Sequence, residues 1–242
     1  MDVIVDCTLD GFLDGRIIAA QPKAGFRAGH DTVLLAAAVP AGRKVLELGS
    51  GAGIASLCYA RRVADAEVLG VEIDPDLVAI AIDNAARNGL SERARFLAGD
   101  ARALADAASE FDQVFFNPPF HSPEGTASAN PALDRAKRDL DSNITAWTKS
   151  ALGAVCRNGR VTAMLRADRV QDMISAAANH TVTLFPLIPR RGVAPKRVIV
   201  SVIAGEAGPV KTRAGLVLHR TDGEATPEAD AILRGGCSLP LG

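Results

Sequence analysis

Apolar residues along this chain follow two rhythms. From Lys44 onward, short apolar runs of strand length alternate with longer stretches whose apolar positions recur every three or four residues. KVLEL, EVLGVEI, ARFLAG, FDQVFF and RVTAML read as buried strands, rich in β-branched and aromatic residues and bounded by turn formers. Between them, ASLCYARRVA and PDLVAIAIDNAARNGL read as helices, the second with Pro75 in its first turn and Gly89 past its end. A polar, proline-containing stretch from His121 to Ser142 precedes a helix predicted around Asn143–Cys156, and Asp168 is expected to cap another that runs to about Asn179. TVTLF and RVIVSVI flank PLIPRRGVAPK and predict a closing antiparallel pair.

Before Lys44 the pattern is different. Short apolar stretches broken by Gly and Asp (LDGFLDGRIIAAQ) predict a hairpin within residues 1–30, followed by a helix over Thr32–Val39 capped by Asp31 and ended by Pro40 and Gly42. The tail from Leu216 predicts a strand, a turn and a short terminal helix. We therefore expect residues 1–40 to form an N-terminal appendage and residues 41–242 the main domain with a short C-terminal extension. Strand–helix alternation predicts an α/β, Rossmann-like architecture: a seven-stranded, mostly parallel sheet with one antiparallel strand and helices on both faces. Ligands of such sheets bind at the carboxyl ends of the strands.

Composition narrows the function only a little. The formal net charge of −1 provides no global basic field for a nucleic acid, so any such contact must come from local patches. Four scattered cysteines without a CxxC pair favour reduced thiols over a disulfide frame or metal site, and no metal is expected. MDVIVDCTLDG lacks the basic flank and apolar core of a signal peptide, and no apolar run is long enough to span a bilayer, so a cytoplasmic protein is expected.

The candidate chemistry sits at strand ends. KVLEL runs into Glu47-Leu48-Gly49-Ser50-Gly51-Ala52-Gly53, a GxGxG loop whose glycines allow tight turning and close approach of a ligand to the backbone. The dinucleotide fingerprint GxGxxG is absent, and an acidic Glu47 would repel a phosphate. It suits a ligand with a cationic amino-acid end and no phosphate, such as S-adenosylmethionine. Glu72 ends the second strand, where it could accept both ribose hydroxyls; Asp100 ends the third, placed to accept from an adenine amino group. A glycine turn alone is often only a turn and a terminal Asp often only a cap. Three such features on three successive strands point together to one cofactor site.

The fourth strand ends in Phe115-Phe116-Asn117-Pro118-Pro119-Phe120. Proline cannot donate to a sheet ladder, so the strand stops at Asn117. An NH2 group conjugated to a ring or carbonyl is a poor nucleophile. Two acceptors around it, the Asn117 side-chain oxygen and the Pro118 carbonyl, would favour a pyramidal nitrogen and stabilise the charge that develops as a methyl arrives. Phe120 would offer a stacking face for a planar target. The bland alternative is a rigid strand terminator followed by a core aromatic.

This order of signals resembles the class I amino-group methyltransferases that carry an (N/D)PP(Y/F/W) motif. TLDGFLDGRIIAAQP, GFRAGHDTVLLAAAV, VLELGSGAGIASL, GVEIDPD, NPPF, PKRVIV and LHRTDGEATPEADAILRG resemble, over nearly the whole chain, the bacterial tRNA adenine-N6 methyltransferases that modify the adenine 3′ of the anticodon in a valine tRNA. Ala225 departs from the aromatic that the family pattern has before TPEA. The resemblance implies S-adenosylmethionine as cofactor and a tRNA as partner. It implies that Glu47, Gly49, Gly51, Gly53, Glu72 and Asp100 bind the cofactor, with Arg27 and Asp31 close to the cofactor end of the pocket, and that Asn117, Pro118 and Phe120 clamp the target.

Arg190, Arg191, Lys196 and Arg197 cluster in one loop and are the candidates for RNA phosphates; a solvated hairpin loop is the equal alternative for the same residues. Arg135, Lys137 and Arg138 form a weaker patch, interleaved with acids. Trp147 is expected in the core and His121 beside the clamp. Other planar NH2 acceptors (an rRNA base, a DNA adenine, a release-factor glutamine) would suit the same chemistry. A non-catalytic cofactor- or RNA-binding module would leave the Asn-Pro-Pro-Phe sequence unexplained.

Overall fold

The computed structural model describes residues 6–106, 109–118, 144–205 and 207–241. Strands β1 (Cys7–Phe12) and β2 (Ile17–Pro22) form an antiparallel hairpin, and helix α1 (His30–Ala38) leads into the main sheet. That sheet is built from β3 (Lys44–Leu48), β4 (Glu67–Glu72), β5 (Ala94–Ala98), β6 (Phe111–Phe116), β7 (Val155–Arg166), β8 (Thr181–Ile188) and β9 (Arg197–Ile203). Their order is β8-β9-β7-β6-β3-β4-β5, with only β9 antiparallel to its neighbours. This is the expected mixed seven-stranded sheet. Two short strands, β10 (Val210–Thr212) and β11 (Leu216–Val217), extend it by pairing with β8.

Helices α2 (Ile54–Arg62) and α3 (Pro75–Arg87), with α1, cover one face; α4 (Ile144–Ala154) and α5 (Val170–Ala176) cover the other. Burial on both faces is why the strands are apolar without alternation: within β6, Phe115 belongs to the α1–α2 side of the core and Phe116 to the α4 side. The terminal helix α6 (Pro227–Leu233) starts with a Thr226 hydroxyl accepting the Ala229 N–H, and it packs on α1.

Local chemistry explains most boundaries. Asp74 accepts the Asp76 N–H and Pro75 opens α3, whereas Gly89 leaves it at a φ of 65°. Two expectations need correction. Asp31 does not cap α1: the N-cap is Gly29 without a side-chain bond, and the Asp31 carboxylate pairs with Arg197. Asp168 caps no helix either; it pairs with Arg166, ahead of an α5 that ends at Ala176. Hairpin and helix α1 both pack into the core of the sheet: Phe12, Leu13, Ile17 and Ala19 join it from the hairpin. Val33 to Ala38 are buried within the same apolar cluster as Val45, Leu57 and Tyr59.

Candidate active site

Sheet register brings the candidate residues to one edge. Leu48 of β3 is opposite Phe116 of β6 and Val71 of β4, and Glu72 of β4 is opposite Ala98 of β5. The residues that follow, Gly49, Asn117 and Asp100, therefore lie at the carboxyl ends of adjacent strands with Glu72.

The loop after β3 is held from below. Gly49 and Ser50 both donate their N–H to the Val71 carbonyl (2.8 and 3.1 Å), and Gly51 donates to the Glu72 Oε2 at 2.9 Å. Gly49, Gly51 and Gly53 all have positive φ, where a side chain would be strained. A methyl group placed on Gly49 would lie 2.6 Å from the Trp147 ring, and one on Gly53 would lie 2.7 Å from the Phe96 ring. One placed on Gly51 would meet nothing within 4 Å. The outer glycines are thus dictated by packing, and the middle one leaves its backbone open to a ligand.

Glu47 is buried behind this loop. Its Oε2 accepts the Ser56 N–H at 3.0 Å and the Ser56 hydroxyl at 2.5 Å, which ties β3 to the first turn of α2. Burial pushes its pKa up to about 8, against the lowering effect of the Ser56 bonds. A neutral Glu47 needs no counter-ion, whereas a cation arriving at the loop would favour its ionised form.

Glu72 lies in the floor: besides Gly51, it accepts the Asp74 N–H at 3.0 Å through Oε1. Asp100 accepts Nε, Nη2 and the backbone N–H of Arg102, and the Arg102 hydrogen bonds hold its carboxyl below the usual carboxylate range. Arg27 is tied to the hairpin through the Pro22 carbonyl, Thr8 Oγ1 and Asp10. Asp31 sits at the start of α1, 3.1 Å from Arg197 Nε.

Asn117 is half-buried, but its Oδ1 is shielded from solvent and has no hydrogen-bond partner among the described residues. A shielded acceptor left without any donor costs about 1–3 kcal/mol. Pro118 is buried beside it. Pro119 and Phe120 lie outside the described residues, as do His121, Arg135, Lys137 and Arg138.

Three contributors carried no motif. Trp147 is buried as expected, yet its ring presses on Gly49 and lies 5.6 Å from the Phe116 ring, so one side chain braces both the glycine loop and the strand that carries Asn117. Gly70, a glycine inside β4, admits Ser50 and Phe96: a methyl group there would lie 2.8 and 2.5 Å from them. Asn84 of α3 is fully buried. It accepts the Ala20 N–H and donates to the Ala20 and Ala52 carbonyls, stitching the hairpin to the glycine loop. Its partner Asn88, one turn on, binds both backbone groups of Ile18. The signal was the i, i+4 asparagine pair in DNAARNG.

Arg190, Arg191 and Lys196 are exposed in the loop between β8 and β9, while Arg197 opens β9. Among the described residues no group of three or more His, Cys, Asp and Glu could hold a metal ion, and no helix is long and apolar enough to cross a membrane.

Residues 27–148 match the family described as the methyltransferase small domain. The chain is 26% identical over 229 residues to the tRNA1(Val) (adenine(37)-N6)-methyltransferase of Yersinia enterocolitica, covering 92% of this chain and 90% of that one. Its Pasteurella multocida counterpart is 25% identical over 196 residues, 79% and 82% of the two chains. Among solved structures, a protein of Agrobacterium tumefaciens described as a predicted O-methyltransferase superposes with a TM-score of 0.73 at 24% identity, covering 87% of this chain and 98% of that one. That likeness concerns the fold.

Proposed function

Because the chain belongs to the methyltransferase small domain family, we propose that it transfers a methyl group from S-adenosylmethionine to the N6 amino group of an adenine in tRNA, the anticodon-loop adenine of a valine tRNA. The observation that carries this reading is the shielded Asn117 Oδ1, unpartnered among the described residues, at the strand end beside the glycine loop. Among the described residues no N–H reaches it, so it is free to accept one from a bound amino group.

The residues present suit the cofactor. Gly51 leaves its backbone approachable, Glu72 lies at the neighbouring strand end and Asp100 at the next, and the acidic character around the loop suits a positive ligand without phosphates. Bound there, S-adenosylmethionine supplies an electrophilic methyl on a positive sulfur. Glu72 would accept the ribose hydroxyls and Asp100 the adenine amino group of the cofactor, while the loop glycines let the main chain approach.

Asn117 Oδ1 accepts one hydrogen of the target amino group, and the Pro118 carbonyl accepts the other. Together they pull the nitrogen toward a pyramidal shape, aim its lone pair across the strand ends and stabilise the positive charge that grows on it. No carboxylate has to remove a proton beforehand. The nitrogen becomes acidic once methylated and water takes its proton. Phe120 follows Pro119 in the sequence and completes the clamp as a stacking face for a flipped base. A tRNA substrate also sets the working place in the cytoplasm.

The curated relatives act, by name, on the adenine of tRNA1(Val), which supports RNA over the other planar amino groups. The test is incubation of the protein and cofactor with unmodified transcribed valine tRNA, followed by nucleoside mass spectrometry, with a release-factor protein substrate in parallel. N6-methyladenosine in the tRNA is the expected outcome. Methylglutamine in the protein substrate with unmodified tRNA would overturn the RNA assignment and keep the chemistry.

A further inference from the structure

The carboxyl edge of the sheet is sorted by charge in a way the net charge conceals. At the β4–β5 end stand Glu72, Asp74, Asp76 and Asp100, the last paired with Arg102. The glycine loop of β3 and Asn117 of β6 occupy the middle. The β7–β9–β8 end is basic. Because β9 runs antiparallel to β7 and to β8, its first residue and the last residues of β8 come to this same edge: Arg197 is opposite both Arg166 and Leu187. The loop joining β8 to β9, with Arg190, Arg191 and Lys196, is thereby carried to the catalytic edge.

Pairing sorts these cations further. Arg166 is bound to Asp168 at 2.7 Å, Arg169 to Asp172 at 2.7 Å and Arg197 to Asp31 at 3.1 Å. Arg190, Arg191 and Lys196 are exposed, and among the described residues none of them has an ion-pair partner. Their loop is nonetheless anchored at both ends. The His219 N–H donates to the Pro189 carbonyl at 3.0 Å, the Ala167 N–H donates to the Lys196 carbonyl at 3.1 Å, and a turn bond from Val193 to Arg190 closes its middle. Three unpaired cations on an anchored loop differ from a floppy charged hairpin, because less freedom is lost when a ligand fixes them.

The heights of the strands complete the geometry. Phe116, the last residue of β6, is opposite Ala163, and β7 continues through Met164, Leu165 and Arg166. At about 3.3 Å per residue, β7 rises roughly 10 Å beyond the level of Phe116. Asn117 is thus recessed beside a wall made by β7 and β9. Strands in a sheet are about 4.8 Å apart, so β8, three strands from β6, stands roughly 15 Å to the side.

We propose that the 189–196 loop, through Arg190, Arg191 and Lys196, is the docking surface for the RNA backbone, holding phosphates at the raised rim while the target base is flipped down to Asn117. The inference rests on the RNA reading above and specifies where the RNA sits. The strand enters from the β8 side, away from the acidic β4–β5 half that faces the cationic cofactor. Arg197 is a positioning residue, fixing the root of the loop to α1 through Asp31.

The experiment compares wild-type protein with the triple variant Arg190→Gln/Arg191→Gln/Lys196→Gln and with a control, Arg87→Gln/Arg95→Gln, whose exposed side chains lie on α3 and β5. Binding of unmodified valine tRNA is measured across a salt series, together with KM and kcat for methylation. Each phosphate contact contributes about 0.7–0.9 to the slope of log K against log salt. The triple variant is expected to lose about 2 to 3 from the magnitude of that slope and to raise KM for tRNA at least tenfold at physiological salt. Its kcat at saturating tRNA should stay within a few fold and the control should match wild type. Wild-type methylation with unchanged slope and KM in the triple variant overturns the docking surface alone. Wild-type protein that neither binds nor methylates the tRNA overturns the RNA reading and this surface with it.

Discussion

Replacing Glu47 by glutamine isolates one buried proton. The carboxyl of Glu47 has its pKa raised from 4.5 to about 8 by burial, while its Oε2 remains bonded to Ser56. A raised folded-state pKa means that the folded protein holds a proton which the unfolded chain has released. The associated stability is fully present below pH 4.5 and is lost progressively as pH rises through about 8. Within that window the folded state carries one proton more, so stability falls by about 1.4 kcal/mol per pH unit. From pH 5 to 7 the sum is roughly 3 kcal/mol, a large share of the 5–15 kcal/mol that holds an ordinary domain together. Glutamine keeps the shape and an oxygen for Ser56 but has no proton to lose. Urea unfolding of wild type and Glu47→Gln at pH 5, 6, 7 and 8 measures the difference directly, since other titrating groups cancel between them. The variant should gain on wild type by more than 1 kcal/mol per unit through the middle of that range. Parallel stability profiles would refute the burial argument.

The same proton bears on the cofactor, for a cation at the glycine loop favours ionised Glu47; wild type should release a fraction of a proton on binding S-adenosylmethionine near pH 7, detectable by calorimetry in buffers of different ionisation enthalpy, and Glu47→Gln should not. Gly49→Ala forces a positive φ on alanine and drives its methyl to 2.6 Å from Trp147; thermal unfolding should show a loss of about 2–5 kcal/mol and calorimetry a loss of cofactor binding. Trp147→Ala removes the brace on Gly49 and Phe116 and should cost about 3–5 kcal/mol in denaturant titration, with weaker cofactor affinity in the protein that remains folded. Asn84→Ala leaves the Ala20 and Ala52 backbone groups without their partners; hydrogen exchange at Ala20 should accelerate at least tenfold, and unchanged protection there would show that the hairpin docks by other means.

Much of this architecture was legible because it depends on local rules. Apolar runs of strand length separated by helical periodicity gave the order of β3 to β7, and Pro75 and Gly89 marked the ends of α3. Position at a strand end was equally readable: Gly49, Glu72, Asp100 and Asn117 come to one edge because parallel register puts every carboxyl end there. What could not be read were side-chain choices between competing partners. Asp31 has the spacing of a helix cap, yet an arginine 166 residues away takes its carboxylate. Asp168 likewise follows an arginine that claims it. Asn84 and Trp147 act through contacts with segments remote in sequence, and neither the amide nor the indole announces which backbone it will meet. The charge-sorted edge was legible in its parts, the strand-end acids and the basic loop, but their placement along one edge was not, for a different reason. A net charge sums over the whole surface, whereas the antiparallel turn of β9 decides which end of the sheet receives the cations.

The central claim is that Asn117 clamps the acceptor nitrogen and plays little part in holding the cofactor. Its most direct test is a pair of measurements on Asn117→Ala: single-turnover formation of N6-methyladenosine in valine tRNA, and the affinity for S-adenosylmethionine. Loss of one preorganised hydrogen-bond partner at the reacting centre should slow transfer by about 10²–10³-fold, while cofactor affinity stays within about threefold. Transfer at the wild-type rate would contradict the clamp. A collapse of cofactor binding in a well-folded variant would contradict the division of labour along the strand ends.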